Sequence, residues 1–140
     1  MQDQPVRKFM SSPVTVLRQS AKLSEARRLL VEEGFHHVPV VNEEGSLLGL
    51  LSSTDLLSLS FGSYGVEGET MDTVIDTQFK LSEVMATELE TLGPEEPLSR
   101  ADELLATGSF HSLPIVDGEG KLLGIITSSD LIECLLRELN

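Results

Sequence analysis

Tryptophan is absent from this chain, and aromatic residues make up only 4% of its 140 positions. Aliphatic side chains must therefore form most of the core, for which a hydrophobic fraction of 40% is enough. Cationic residues are also scarce: ten lysines and arginines face 23 aspartates and glutamates, which gives a formal net charge of −13. Binding to nucleic acid or to an anionic membrane depends on clustered cations, so we predict neither.

Cysteine occurs once, as Cys134, which excludes a disulfide framework within one chain. We predict that this thiol is buried and unreactive. The start of the chain lacks the apolar core of a signal peptide, and no apolar run approaches the length of a membrane span. We therefore expect a protein of the reducing cytoplasm.

The sequence repeats itself at an offset of 75 residues without a gap. Of the 52 positions from 6 to 57, 19 are identical to the residue 75 positions later. The run FHHVPVV at 35–41 returns as FHSLPIV at 110–116, and GSLLGLLSSTDL at 45–56 returns as GKLLGIITSSDL at 120–131. This self-similarity predicts repeat 1 at residues 1–60, an acidic linker containing glycines at 61–79, and repeat 2 at 80–140.

Hydrophobic periodicity predicts a β-α-β-β-α order of elements in each repeat. We expect Ser20 or Ser24 to cap the first helix of repeat 1, Gly34 to end it, and Ser52 or Ser53 to cap the second helix. A short helix within 72–80 is also expected. The predicted elements are strands 14–17, 38–41 and 47–51 with helices around 23–30 and up to 59, then strands 89–92, 112–117 and 121–126 with helices 97–107 and 128–139.

Both repeats end their hairpin with one motif, GLLSSTD at 49–55 and GIITSSD at 124–130. Here a strand enters a helix, so backbone N–H groups and the positive end of the helix dipole point outward and suit a phosphate. The aspartate beside them can accept hydrogen bonds from a ribose diol. Helix capping by the same residues explains the motif without a ligand and is favoured when the motif is taken alone. Both interpretations stay open.

All three histidines, His36, His37 and His111, stand at the entry to the hairpin. Neighbouring strand residues point to opposite faces, so His36 and His37 are poorly placed to share a metal ion, and we predict no metal site. Contact with a ligand and surface exposure are the alternatives for these side chains. No arrangement for nucleophilic catalysis is present, and two equivalent sites suit binding better than catalysis, so we do not expect an enzyme.

The duplicated hairpin strand and the duplicated Gly-h-h-[Ser/Thr]-x-x-Asp ending resemble the CBS domain (cystathionine β-synthase domain), and the tandem pair resembles a Bateman module. The resemblance covers residues 5–60 and 80–138. It implies an α/β (α+β) fold in which two tandem β-α-β-β-α repeats pack sheet to sheet about a pseudo-twofold axis, and a homodimer of such chains. It also implies two inter-repeat clefts that bind an adenosyl ligand: AMP, ADP, ATP, S-adenosylmethionine or NAD(H).

In this family the motif aspartate holds the ribose hydroxyls, the residues one and three positions before it face the phosphate, and the start of the other repeat lies against the adenine. For the cleft of Asp130, called site A below, the resemblance implies Met10, Val14, Thr15, Val16, Phe35, His111, Ser112, Leu113, Pro114, Thr127, Ser129 and Asp130. For the cleft of Asp55, called site B, it implies Met85, Leu89, Glu90, Thr91, Phe110, His36, His37, Val38, Pro39, Ser52, Thr54 and Asp55.

Neither cleft has the arginine that strong polyphosphate binders of the family often use, and Glu88 and Glu90 lie at the edge of site B. The net charge of −13 opposes a polyphosphate that arrives without Mg²⁺, so we expect AMP or S-adenosylmethionine. The predicted function is that of a stand-alone regulatory protein that acts on an unidentified effector protein. The alternative is a ligand-free interaction or dimerisation module. The clefts differ at His37 and Ser112, so we expect a ligand in one before both.

Overall fold

The computed structural model describes residues 2–60, 73 and 75–139. These residues form a mixed α/β structure with two small sheets, which confirms the predicted fold class. The chain divides into two compact units: unit 1 contains residues Met1–Val14 and Leu89–Asn140, and unit 2 contains Thr15–Glu88. Each unit therefore combines most of one repeat with the segment that begins the other repeat. The domain boundaries read from the repeat stay a prediction.

Unit 2 is built around a three-stranded sheet in the order β1-β2-β3. Strand β1 runs parallel to β2, and β2 and β3 form an antiparallel hairpin. Its elements are β1 (Leu17–Arg18), α1 (Leu23–Arg27, continued by a π-helical turn at Arg28–Glu32), β2 (His37–Val41), β3 (Leu47–Ser52), α2 (Ser53–Ser60) and α3 (Leu81–Val84).

Unit 1 repeats the hairpin with two antiparallel strands. Leu92 adds an isolated parallel bridge to Ile115, where repeat 1 has strand β1. The elements of unit 1 are a 3₁₀ turn (Val6–Lys8), α4 (Leu98–Ala106), β4 (Ser112–Val116), β5 (Leu122–Thr127) and α5 (Ser128–Leu139).

Both hairpins turn through the same local chemistry. The Asn42 side-chain oxygen accepts hydrogen bonds from two backbone N–H groups of the turn at 3.0 and 2.9 Å, and Asp117 does the same at 2.9 and 3.0 Å. Gly45 and Gly120 follow with φ of +88° and +85°, a conformation that side chains other than glycine rarely adopt. These turns fix the register that brings the start of the first hairpin strand next to the end of the second.

Each unit has its own aliphatic core on the helix side of its hairpin. Val38, Val40 and Leu51 are fully buried with α1 in unit 2, and Leu113 and Ile115 are fully buried with α4 in unit 1. Because strand side chains alternate between faces, the residues between them project from the opposite face. That opposite face holds His37 in repeat 1 and Ser112 in repeat 2.

The first strand of each repeat is shorter than predicted. In repeat 1 it occupies Leu17–Arg18 rather than 14–17, and the expected strand 89–92 is reduced to the bridge at Leu92. The N–H of Gln19 donates a further hydrogen bond to the carbonyl of Val41 at 2.9 Å. The residue that corresponds to Gln19 in repeat 2 is Pro94, which has no N–H group, so the same extension cannot form there.

Neither serine predicted to cap α1 does so. The N-cap residue is Lys22, which makes no side-chain capping bond. Instead, the carboxylate of Asp76 accepts the N–H of Ser24 at 2.9 Å and the hydroxyl of Ser24 at 2.6 Å. The cap comes from a side chain 52 residues away, which local sequence patterns do not reveal. Gly34 ends this helix as predicted, with φ +77°. Of the two serines predicted to cap α2, Ser52 does so: it precedes the helix, and its hydroxyl oxygen accepts the N–H of Asp55.

Part of the segment predicted as a linker packs within unit 2. Ile75 is 1% exposed in the core of this unit, and residues 73 and 75–78 are helical, as expected. The earlier part of the segment, 61–72, lies outside the described residues, and with it the glycines at 62, 65 and 68. The described part of the predicted linker is therefore packed and contributes a cap.

Candidate ligand site

The two motifs have nearly the same geometry. In unit 1, Oδ2 of Asp130 accepts the backbone N–H of Thr127 at 2.8 Å, and Oγ1 of Thr127 accepts the N–H of Asp130 at 3.2 Å. In unit 2 the corresponding distances between Asp55 and Ser52 are 3.0 and 3.2 Å. Each pair is a reciprocal capping box. The capping interpretation is therefore realised, and it uses one carboxylate oxygen, which leaves Oδ1 outside the box.

The hairpins hold the motifs beside the residues that precede the proline strand. The N–H of Ser128 donates to the carbonyl of His111 at 3.2 Å, and Ser53 donates in the same way to His36 at 3.1 Å. Both imidazoles are attached at exposed positions. The backbones of the two histidines are thus fixed at the start of the helix that follows each motif.

The units differ at one position next to the motif. Ser112 lies directly opposite Thr127 in the β4–β5 register, where repeat 1 has His37 opposite Ser52. Residues opposite each other in an antiparallel pair have side chains on the same face, about 5 Å apart at Cβ. Ser112 is 5% exposed. Among the residues that the structure describes, its hydroxyl is the one buried side-chain polar atom that has no hydrogen-bond partner.

The segment that begins each repeat pairs with the hairpin of the other repeat. Ser11 and Ile125 exchange backbone hydrogen bonds of 2.8 and 3.2 Å in unit 1, and Ala86 and Leu50 exchange two of 2.9 Å in unit 2. This pairing brings Met10 to the hairpin of Asp130 and Met85 to the hairpin of Asp55. The resemblance implied such neighbours, and the structure places each methionine in the same unit as its aspartate.

The residues predicted for site A fall largely within unit 1. Val14 is half-buried, His111 and Ser129 are exposed, and Leu113 and Pro114 are buried in β4. The remaining three, Thr15, Val16 and Phe35, belong to unit 2, and their part in site A stays a prediction.

The residues predicted for site B divide in the same way. Unit 2 contains the half-buried His37, the exposed Thr54 and the buried Val38 and Pro39 of β2. The others belong to unit 1, where Phe110 packs against that unit's core, and their part in site B stays a prediction: Leu89, Glu90, Thr91 and Phe110.

Two groups with altered pKa lie elsewhere, in a groove of about 370 Å³ between α4 and α5. Burial raises the pKa of the Asp102 carboxyl, and a hydrogen bond from the Gln2 side chain opposes this effect. Burial also raises the pKa of the Cys134 thiol, although this residue is half-buried rather than buried as predicted.

Across the described part of the chain, no three histidine, cysteine or carboxylate side chains gather as a metal centre requires.

Comparison with known proteins identifies the class to which these paired motifs belong. The family model described as "CBS domain" matches residues 6–62 and again 81–137. The chain therefore belongs to the CBS domain family, and the tandem repeat is confirmed.

Individual relatives agree with this assignment. A chloroplastic CBS domain-containing protein, CBSX1 of Arabidopsis thaliana, is 32% identical over 139 residues, which cover 87% of this chain and 59% of that protein. A homoserine O-acetyltransferase of Methanococcoides burtonii is 31% identical over 122 residues, which cover 87% of this chain but 22% of the enzyme. The crystal structure of CBSX2 in complex with AMP superposes with a TM-score of 0.81 at 26% identity, covering 98% of this chain and 99% of that one.

The chain thus spans about a fifth of the length of the first enzyme that it matches, and the enzyme's name applies to that longer protein. Within the described ranges, no helix has the length and apolar character that crossing a bilayer requires.

Proposed function

We propose that this chain is a regulatory module, not an enzyme, that binds an adenosine-type ligand at site A and passes the binding signal to a protein partner in the cytoplasm. The observation that supports site A is the Ser112 hydroxyl, buried without a partner beside the Thr127–Asp130 box. A buried hydroxyl without a hydrogen bond is costly, and a bound ligand can supply the missing bond. Site B has His37 at that position.

Capping does not compete with ligand binding at Asp130. Its Oδ2 holds the backbone of Thr127, which fixes the carboxylate before any ligand arrives. Oδ1 then accepts hydrogen bonds from the two hydroxyls of a ribose. A group that is already oriented loses little conformational entropy on binding, so the cap supports the affinity.

The choice among adenosine ligands rests on charge. The net charge of −13 and the absence of arginine from the motif positions disfavour a triphosphate without Mg²⁺. AMP is the first candidate because the structurally similar CBSX2 binds it, and S-adenosylmethionine is the second because it has no phosphate.

A thermal-shift series tests the proposal. The protein is heated with AMP, ADP, ATP, S-adenosylmethionine or NAD(H), with and without Mg²⁺. A ligand at a hundred times its dissociation constant adds about 2.7 kcal/mol to the free energy of unfolding. We expect the largest shift with AMP or S-adenosylmethionine, and no shift with any of the five removes the proposed function.

Two variants then locate the ligand. Asp130→Ala should abolish the shift, whereas its repeat counterpart Asp55→Ala should retain it.

Ser112→Ala should separate stability from binding: without ligand it gains about 1 kcal/mol because an unpaired hydroxyl is removed, and it binds more weakly. Ser24→Ala, which removes a hydroxyl bonded to Asp76, is the matched control and should lose stability without loss of binding.

The second candidate function is a ligand-free dimerisation or interaction module, favoured by the surface of α5. Ile132, Leu135, Leu136 and Leu139 of this helix are 52–83% exposed. We propose that a second copy of the chain covers them in a homodimer. Glu133 and Arg137, paired at 3.7 Å within the helix, give it both charges, so two antiparallel α5 helices can match opposite charges across their contact.

A further inference from the structure

We infer that Gly124 and Gly49 are positioning residues, each of which seats a methionine and thereby sets one side of a single ligand site. The expected effect on ligand affinity rests on the proposed function, whereas the contact between each glycine and its methionine rests on the geometry alone. The glycine is the first residue of the ligand motif in each repeat. Its role here is to leave room for the segment that begins the other repeat.

Neighbouring atoms occupy the position that a Cβ would take at each glycine. A Cβ added to Gly124 would lie 2.6 Å from Sδ of Met10 and 2.8 Å from the carbonyl oxygen of Ser11. A Cβ added to Gly49 would lie 2.6 Å from Sδ of Met85 and 2.9 Å from the carbonyl oxygen of Ala86. We call these two contacts the Met10 seat and the Met85 seat.

Alanine at either glycine cannot be absorbed by a side chain alone. The thioether of methionine is flexible and can move aside. The carbonyl oxygens of Ser11 and Ala86 cannot, because their residues exchange two backbone hydrogen bonds with the strand. Both glycines lie within strands without a positive φ, so the requirement for glycine is one of space and not of backbone conformation.

Each seat lies in the same unit as one capping box. Gly124 precedes Thr127 by three residues on β5, and the Met10 seat belongs to unit 1 with Asp130. Gly124 and Thr127 are an odd number of positions apart, so the Met10 seat lies on the core face of β5 and the side chain of Thr127 on the opposite face. Displacing the segment at Met10 and Ser11 therefore acts on site A through the segment itself, which continues to Val14, without altering the bonds between Thr127 and Asp130. The Met85 seat acts in the same way on site B.

The two seats differ in how firmly the segment is held. The hydroxyl of Ser12 donates to the carbonyl of Leu123 at 2.9 Å, next to the Met10 seat. The corresponding residues at the Met85 seat are Thr87 and Leu48; the structure describes both, and they make no such bond. The extra bond at the Met10 seat agrees with the assignment of the ligand to site A, because a firmly held wall loses less freedom when a ligand binds.

Ligand affinity of three variants provides the main test. Overpacking by one methyl group at a tight contact is expected to weaken binding at site A by roughly tenfold or more in Gly124→Ala. Gly49→Ala should leave site A within about twofold of the wild type, since the Met85 seat belongs to unit 2 and not to the unit of Asp130, and independent sites are nearly additive. Gly118→Ala, whose Cβ would meet nothing within 4 Å, is the control in the same unit.

The positioning role also has a readout that needs no ligand. The four methionines make methyl NMR practical, and Gly124→Ala should shift the Met10 methyl signal while leaving that of Met85 in place. The Ser11 amide, which donates to Ile125, should lose its protection from hydrogen exchange. If Gly124→Ala does not fold, Ser11→Pro, which lacks the N–H that donates to Ile125, takes its place in the affinity test and in the methyl measurement.

The outcomes distinguish the two proposals. If no adenosine compound binds the wild type, the proposed function fails. The contact between Gly124 and Met10 is then tested by the Met10 methyl signal and the hydrogen exchange of the Ser11 amide. If the wild type binds but Gly124→Ala binds equally well, the seat inference is overturned. Unchanged methyl and amide signals in that variant overturn it as well, whatever the ligand does. Equal losses in Gly124→Ala and Gly49→Ala would show a general structural effect and also overturn it.

Discussion

Asp102 shows how the fold alters the protonation of a single residue. It lies half-buried on α4 among apolar side chains of the groove, and burial raises the pKa of its carboxyl above the usual 3.8. The folded state therefore binds a proton more tightly than the unfolded chain. Stability from this residue is highest at low pH, falls as pH rises through the interval between 3.8 and the raised pKa, and is constant above it.

The comparison of Asp102→Asn with the wild type isolates this effect. Urea unfolding from pH 3 to 7 should show the variant gaining relative stability as pH rises, because only the wild type pays for ionising a buried carboxyl. Gln2→Ala removes the hydrogen bond that opposes the shift and should extend the interval upward. A difference between Asp102→Asn and wild type that is flat with pH would contradict this account.

Single residues also show where sequence reasoning works. The reciprocal caps of Ser52 with Asp55 and of Thr127 with Asp130 join groups three positions apart, and such local pairs are visible in a sequence. Ser24 is different, because its partner Asp76 is distant along the chain. The orphan hydroxyl of Ser112 could not be predicted either, since burial without a partner depends on the whole packed surroundings.

At the scale of elements, α1 depends on a segment that the repeat does not contain. Asp76 accepts both the N–H and the hydroxyl of Ser24, and the neighbouring Ile75 is buried in the same core. The N-terminus of a helix has unsatisfied N–H groups, and a carboxylate there also meets the positive end of the helix dipole. The residues between the repeats thus cap and stabilise the first helix of repeat 1.

We expect Asp76→Ala to lower the free energy of unfolding by about 1 to 2 kcal/mol, the usual cost of losing a helix cap. Ser24→Ala removes one of the two bonds and should lose less. Chemical denaturation measures both. Thr77→Ala, next in sequence, removes a hydroxyl that donates to the carbonyl of Thr73 and is the control for a change in the same segment. Equal stability of Asp76→Ala and wild type would exclude the cap as a source of stability.

The strands illustrate the limit of periodicity at this scale. Both hairpins and helix α5 agree with the predicted bounds within a residue or two, because they rest on long apolar patterns and clear turn residues. The first strands were predicted too early or too long. Their length is set by individual hydrogen bonds, such as the one that Gln19 makes and Pro94 cannot.

At the scale of the whole molecule, the exposed apolar side chains of α5 predict a homodimer. If α5 is covered by a second copy, sedimentation should give a dimer, and Leu135→Glu should give a folded monomer because the contact would then bury an unpaired charge. Ser109→Glu adds the same charge at an exposed loop position and should remain dimeric. A wild type that is monomeric at every concentration tested would rule out the homodimer.

The duplication itself was fully visible in the sequence, since identical residues at a constant offset need no structure to be counted. The pairing of each starting segment with the other repeat was not visible, because self-comparison reports likeness and not contact. Met10 matches Met85, and Gly49 matches Gly124, yet the contacts join Met10 to Gly124 and Met85 to Gly49.

This reciprocal pairing has a consequence for the ancestry of the chain. A single-repeat ancestor with one methionine and one glycine could form the same contacts only by exchanging its starting segment with a second molecule. Gene duplication would then have joined two exchanging partners into one polypeptide, and their association would no longer depend on concentration.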